Sequence, residues 1–459
     1  MTQLDETLLA VDNGLEETLE RLFALLRKPS ISTDPAYATA LGETADGLVA
    51  DLASIGFDAS RRDTTGHPMV VAHGGEGGPH VLFYGHYDVQ PVDPLTLWHH
   101  DPFDPAIEDR AGEQVIRGRG SSDDKGQLMT FVEACRAWVA VHGALPCRIT
   151  IFLEGEEESG SPSLIPFMKE NAEELTADIA LICDTGMWDR ETPSICTSLR
   201  GLMGEEIIIE AASRDLHSGA YGGPAANPIR VLTKILANLH DETGRVTLPG
   251  FYDGVVEPSD DLLAQWDGLG FDESAFLGAV GLADPAGEKG RRVLEMIWTR
   301  PTCEFNGITG GYTGDGFKTV LPAQASAKVS CRLVGDQDPH AIRAALHAHV
   351  EAHLPADCSV RYIEHGSSKG TTMRIDDPAF EKARGALSDE WGKPAIYEGG
   401  GGSIPVAGHF KDILGMDSML IGFAHADDQI HSPNEKYNVT SFHKGIRSWV
   451  RVLAALSAD

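Results

Sequence analysis

Short uninterrupted apolar runs alternate with amphipathic stretches along much of this chain, and that alternation predicts its architecture. Val81–Tyr84, bounded by Pro79 and Gly85, reads as a short buried strand. Arg148–Leu153, Asp178–Cys183 and Ser418–Phe423 read the same way. Between them lie helical patterns. Residues 14–27 place Leu15, Leu19, Leu22, Phe23 and Leu26 at helical spacing and stop before Pro29. Ala36–Ile55 is closed by Gly56, and further helices fit Gln127 to Val141, Pro378–Trp391 and Thr440–Leu456. Strands alternating with helices predict an α/β fold with a doubly wound, mostly parallel sheet.

The texture changes in the middle of the chain. Gly204–Ala211, Ala325–Val334 and Ser359–Glu364 read as strands. Asn227–Pro228 and Asp338–Pro339 open helices that run to His240 and His353. Asp253–Gly290 is acidic and glycine-rich and reads as an insertion. This β-α-β-α-β order predicts a smaller α+β, ferredoxin-like unit with one open sheet edge. The expected division is residues 1–198 and 375–459 for the larger α/β domain, with residues 199–374 inserted as a lid. An open edge invites pairing with a second copy, so a homodimer through the lid is expected.

Composition narrows the class. Formal charge is −32, from 69 acids against 37 bases, which argues against nucleic acid or an anionic membrane as partner. The seven cysteines are scattered without a CxxC pair, as suits a reducing compartment. Asp5 and Glu6 stand where a signal peptide needs positive charge, and no apolar run approaches membrane-spanning length. Cytoplasmic localisation is the expectation. Cys135, Cys183 and Cys331 fall on apolar faces and read as core residues. The Trp98–Phe103 loop either rims a pocket or packs beneath the sheet edge.

The chemistry gathers at predicted strand ends. His86 follows the first strand, with Asp88 two residues on, spaced to hold its ring. Glu156, Glu157 and Glu158 follow the second strand and Asp184 the third. Asp123 lies in a glycine-rich turn before a helix, and His425 and His431 follow the fourth strand. Imidazole and carboxylate donors without thiolates suit zinc, manganese or cobalt in a catalytic site. Five ligands drawn from these, two imidazoles and three carboxylates, exceed one tetrahedral ion that keeps a position open, whereas two ions sharing a carboxylate accommodate them. Three carboxylates against two divalent ions leave one positive charge, which a bridging hydroxide cancels.

Taken together, His86–Pro91, Gly118–Gly126, Glu157–Gly160, Asp184, Asp215–Gly223 and His431–Lys436 resemble the M20 metallopeptidases. That clan includes aminoacylases, carboxypeptidases, desuccinylases and cytosolic dipeptidases. Asp215–Gly223 and Gly402–Pro405 are most similar to the cytosolic, carnosinase-like dipeptidases. The resemblance implies that His86 and Asp184 hold one ion, Glu158 and His431 the other, and Asp123 bridges. It makes Asp88 the orienter of His86, Glu157 the general base, and the Asp123–Asp124 peptide cis. Register among the three glutamates is set by the Gly160 that follows, leaving Glu156 without a role, and the His-Ser-x-Asn-Glu context favours His431 over His425. In the lid, the resemblance implies that His217 reaches a partner's scissile carbonyl oxygen. It also makes Asn306 and Thr319, read as a glycine-rich loop, and Arg332 substrate contacts, with backbone around Gly401–Ser403 as a carboxylate nest.

The expected activity is therefore two-metal hydrolysis of dipeptides carrying a free C-terminal carboxylate. An N-acyl-amino-acid deacylase, desuccinylase or carboxypeptidase on the same scaffold is the alternative, and a catalytically silent metal or peptide binder a third reading.

Overall fold

The computed structural model describes residues 2–402 and 404–458. The chain divides into two compact units, the first comprising Met1–Thr197, Met373–Glu398 and His409–Asp459, the second Ser198–Thr372 and Gly399–Gly408. Gly399–Gly408 thus goes with the second unit rather than with the larger domain. Arg200 explains why. Its backbone N–H donates to Gly400 and Gly402 carbonyls, and its Nε to the Gly401 carbonyl at 3.1 Å.

In the first unit, strands run in the order Asp58–Arg62, Met69–Gly74, Arg148–Glu154, His80–His86, Ile179–Ile182, Ser418–Leu420, Ser194–Leu199. The four strands from Arg148–Glu154 to Ser418–Leu420 are parallel, and the flanks are antiparallel. The sheet is parallel at its centre, where helices cover both faces and the apolar runs are continuous. From His80–His86 the chain crosses to a neighbour on one side, then back to Ile179–Ile182 on the other. That reversal makes the carboxyl end of His80–His86 the switch point of the sheet, where open α/β sheets place their sites.

Aromatic packing fixes that strand. Phe83 stacks on Phe131 at 3.9 Å between centroids, and Trp449 meets both rings edge-on. Phe131 belongs to the helix Lys125–His142, ended by Gly143 in the left-handed region, and Trp449 to the amphipathic helix Val439–Ser457. Trp449 Nε1 donates to Thr130 Oγ1 at 3.0 Å, so the buried indole keeps its hydrogen bond. All seven cysteines are buried and free. Trp98 is buried too, donating to the Val92 carbonyl with Arg119 over its ring, so the Trp98 loop packs inward there.

The second unit carries a four-stranded antiparallel sheet ordered Thr302–Gly310, Gln324–Leu333, Gly201–Glu210, Ser359–Ser368. Helices Pro228–Ala237 and Pro339–Ala352 contribute Leu232, Ile235, Leu346 and Val350 to the core on one sheet face. The chain order β-α-β-β-α-β is ferredoxin-like, with one more strand than the apolar pattern predicts. That strand, Thr302–Gly310, contains Asn306, which stands at a bulge between Phe305 and Gly307 and not in a loop. The acidic stretch holds the helices Asp260–Asp267 and Glu273–Gly278, and its Glu257 and Glu288 pair with Arg291 and Arg300.

Candidate metal centre

The cluster lies wholly within the first unit. His86 ends its strand, fully buried, and Asp184 follows the adjacent parallel strand. His86 Nε2 stands 3.1 Å from Asp123 Oδ1 and 4.0 Å from Asp184 Oδ2. On the other side of the same carboxylate, His431 Nε2 is 2.9 Å from Asp123 Oδ2 and 3.3 Å from Glu158 Oε2. Two ligand groups result, His86–Asp123–Asp184 and Asp123–Glu158–His431, each with donor atoms within 4.8 Å of one another. Asp123 belongs to both.

Each donor is held from behind. His86 Nδ1 lies 3.1 Å from the Asp88 carbonyl oxygen and 3.4 Å from Asp88 Oδ1. The Asp88 carboxylate in turn accepts from Glu157 N–H at 3.2 Å and Glu158 N–H at 3.0 Å. One aspartate therefore fixes both an imidazole and the short turn Glu157–Ser159 that carries two of the acids. Gln90 Nε2 donates to Glu158 Oε2 at 2.6 Å. The Asp123–Asp124 peptide is cis, and Asp124 Oδ2 accepts from the His86 backbone N–H.

Glu156 points elsewhere. Its buried carboxylate accepts from His67 N–H at 2.5 Å and Ser163 N–H at 2.9 Å, tying the strand end to two neighbouring loops. His425 is likewise outside the two groups. Its Nε2 meets Ser441 Oγ, and the nearby Asp427 and Asp428 are neutralised by the buried Lys436 ammonium at 3.1 and 2.5 Å. An ammonium already placed between those carboxylates makes them a poor cation site.

The electrostatics fit cations. Burial first, and then the Asp123 charge, push the Asp184 carboxyl well up. Burial, with the neighbouring Glu158 charge adding to it, also raises Glu157. His431 is pushed up to about 10 by its hydrogen bonds to Asp123 and Glu158. Glu158 Oε1 is buried with no hydrogen-bond partner among the described residues. Oxygen and imidazole donors with an orphaned carboxylate oxygen fit a pair of hard or borderline divalent ions.

The remaining expected site residues lie in the second unit, apart from Ser403, which falls outside the described residues. His217 is exposed, and its Nδ1 accepts from Gly219 N–H at 2.9 Å. It pairs with Val320 in a short ladder, beside Thr319, whose carbonyl accepts from Ser218 N–H. Exposed Asn306 marks the bulge of an edge strand. Arg332 lies between Thr302 and Leu202 in the sheet, and burial, with the Arg332 charge adding to it, lowers the Arg200 guanidinium to about 10.

The pattern reading gave no role to Glu435, a fully buried acid four residues beyond His431. Its only sequence signal is an acid within the His431–Lys436 motif.

An α/β sheet that presents two imidazole–carboxylate groups with one aspartate in common defines a metal-dependent hydrolase. The pattern for peptidase family M20/M25/M40 matches residues 82–455, and the chain belongs to that family. It is similar to the Cys-Gly metallodipeptidase dug1 of Schizosaccharomyces pombe, 29% identical over 476 residues, covering 99% of both chains. The crystal structure of human carnosine dipeptidase 1 superposes with a TM-score of 0.77 at 25% identity, covering 100% of this chain and 99% of that one. An M20 family metallo-carboxypeptidase, Sso-CP2 from Sulfolobus solfataricus, gives 0.80 at 30% identity over 96% and 99%. Among the described residues, no helix is long and apolar enough to cross a membrane.

Proposed function

We propose that this chain is a two-metal dipeptidase that hydrolyses the amide of dipeptides bearing a free C-terminal carboxylate. The observation that carries the reading is Asp123, whose two oxygens stand 3.1 and 2.9 Å from two imidazoles belonging to separate ligand groups. His86 and Asp184 would hold one divalent ion and Glu158 and His431 the other, with zinc the favoured metal and manganese or cobalt as substitutes. When bound, such a pair polarises the scissile carbonyl and acidifies water.

Glu157 is the general base in this reading. It takes a proton from the attacking water and delivers it to the leaving amine as the C–N bond breaks. A carboxyl raised by burial takes the proton from water more readily than an ordinary carboxylate and holds it until the amine leaves. Asp88 sets the geometry, because its carboxylate grips the amides of Glu157 and Glu158 while its own residue backs His86. The homodimer rests on the open sheet edge, the cytoplasmic setting on the scattered cysteines and the acidic N-terminus, and the lid roles on the motif resemblance. In them His217 stabilises the oxyanion through Nε2, and Arg332, Asn306, Thr319 and Ser403 contact the substrate. Support for His217 comes from its exposure and from an Nδ1 already engaged by Gly219.

The likeness to a metallo-carboxypeptidase favours a second reading, release of C-terminal residues from longer or N-blocked substrates. Metal analysis combined with a panel of free dipeptides, N-acyl amino acids and N-blocked peptides separates the two. Turnover of free dipeptides with about two bound ions per chain is the expected result. Turnover confined to N-blocked substrates reverses the order.

A further inference from the structure

Glu435 uses all of its carboxylate on one turn. Oε1 accepts from the backbone N–H groups of Ser122 at 2.9 Å and Asp123 at 3.0 Å. Oε2 accepts from Gly120 N–H at 3.0 Å and from Arg119 Nη1 at 2.7 Å. The Glu435 carbonyl also accepts from Gly118 N–H. The stretch from Gly118 to Asp123, in which Gly118 and Gly120 take positive φ, is thus folded around one side chain from more than 300 residues further along. Its amides form a nest whose anion is supplied by the protein itself.

The residue also belongs to the other half of the cluster. Four positions earlier in the same loop stands His431, and the intervening Asn434 anchors the loop through His99 N–H and the Leu97 carbonyl, each at 2.8 Å. A single carboxylate therefore connects the segment that presents His431 to the segment that presents Asp123.

We propose that Glu435 is a positioning residue that seats the Asp123 carboxylate between the two imidazole groups, coupling formation of one cation site to the other. The inference rests on the reading of Asp123 as the shared ligand. Glutamine at this position keeps the volume but not the chemistry. It has one acceptor oxygen, so whichever way its amide turns, an NH2 group faces two N–H donors. It also leaves the buried Arg119 guanidinium without its counter-charge.

The test compares the full chain with Glu435→Gln, Glu435→Asp and the loop control Asn434→Ala. Amide hydrogen exchange across Gly118–Asp123 is read in metal-free protein, zinc binding by titration calorimetry, and kcat and KM on a dipeptide at saturating zinc. For Glu435→Gln, exchange in that segment should accelerate, zinc affinity should fall by about 10- to 100-fold, and kcat should drop more than KM changes. Glu435→Asp, which keeps the charge with shorter reach, should recover part of each loss. Asn434→Ala, which loosens the loop without touching the Gly118–Asp123 amides, should leave exchange in that segment at the wild-type rate and cost less zinc affinity than Glu435→Gln does. Wild-type exchange and zinc affinity in Glu435→Gln overturn the proposal, and so does an equal loss in Asn434→Ala. If Glu435→Gln does not fold, wild-type exchange and affinity in Glu435→Asp overturn it instead. A wild-type chain that binds no zinc pair defeats the Asp123 reading alone, because exchange in metal-free protein still reports whether Glu435 holds the turn.

Discussion

The two halves of the candidate metal cluster are built by different means. His86 and Asp184 sit at the ends of adjacent parallel strands, and the His86 side chain is 1% exposed. Their separation is set by strand spacing and by the aromatic packing beneath. His431 lies on a loop with φ of +61°, and its side chain is 55% exposed. Its partner Glu158 is in a one-turn 3-10 segment. A non-glycine residue in the left-handed region persists only where its surroundings hold it there. One half is thus preorganised by the sheet, while the other depends on tethers, chiefly Asp88 beneath Glu158 and Glu435 beneath the His431 loop. The first ion should therefore bind more tightly than the second.

The largest effect belongs to the residue that serves neither half as a ligand. Glu157→Gln should lower kcat by about 10³-fold while retaining two ions per chain, as expected for loss of a general base. Metal analysis beside steady-state kinetics checks it, and unchanged turnover removes Glu157 from the mechanism. Next come the two imidazoles, which probe the asymmetry directly. His431→Ala should keep one tightly bound zinc, whereas His86→Ala should weaken binding at both positions, since it strips the preorganised half. Calorimetric titration reads the difference, and indistinguishable isotherms for the two variants break the comparison.

Much of this arrangement is legible in the sequence because buried parallel strands are continuous apolar runs. Val81–Tyr84, Arg148–Leu153, Asp178–Cys183 and Ser418–Phe423 each mark a central strand. His86, Glu157, Glu158 and Asp184 follow closely after the first three, whereas Asp123 precedes a helix and His431 lies further along the loop after the last. Flanking elements leave weaker traces. Asp58–Arg62 is an edge strand of five residues with no apolar alternation except Ala59. Thr302–Gly310 is disguised by Asn306–Gly307, which reads as a turn and is in fact a bulge. The hairpin Ala106–Arg110 and Glu113–Arg117 is similarly polar along one strand. Glu156 and Glu435 were illegible for another reason. Their partners are backbone amides of distant segments, and backbone donors carry no side-chain signature.

The smallest effect sharpens the contrast from beneath the sheet-built half. Glu154 ends the strand beside His86 and is fully buried, with Tyr84 Oη donating to it at 2.6 Å. Burial pushes its carboxyl from 4.5 up to about 8, the Tyr84 hydrogen bond opposing the rise. A carboxyl raised in the folded state binds an extra proton there relative to the unfolded chain. Its contribution is full below pH 4.5 and is lost as pH rises through 8. Between pH 5 and 9, wild type should lose on the order of 3 kcal/mol relative to Glu154→Gln. Denaturant unfolding at the two pH values measures this, and parallel behaviour of the two proteins refutes it.

Zinc-edge anomalous diffraction from crystals grown with excess zinc addresses the shared aspartate most directly. The account predicts two peaks, one beside His86 and Asp184 and one beside Glu158 and His431, each contacting a different oxygen of Asp123. A single peak, or a pair that leaves Asp123 uncoordinated, contradicts it.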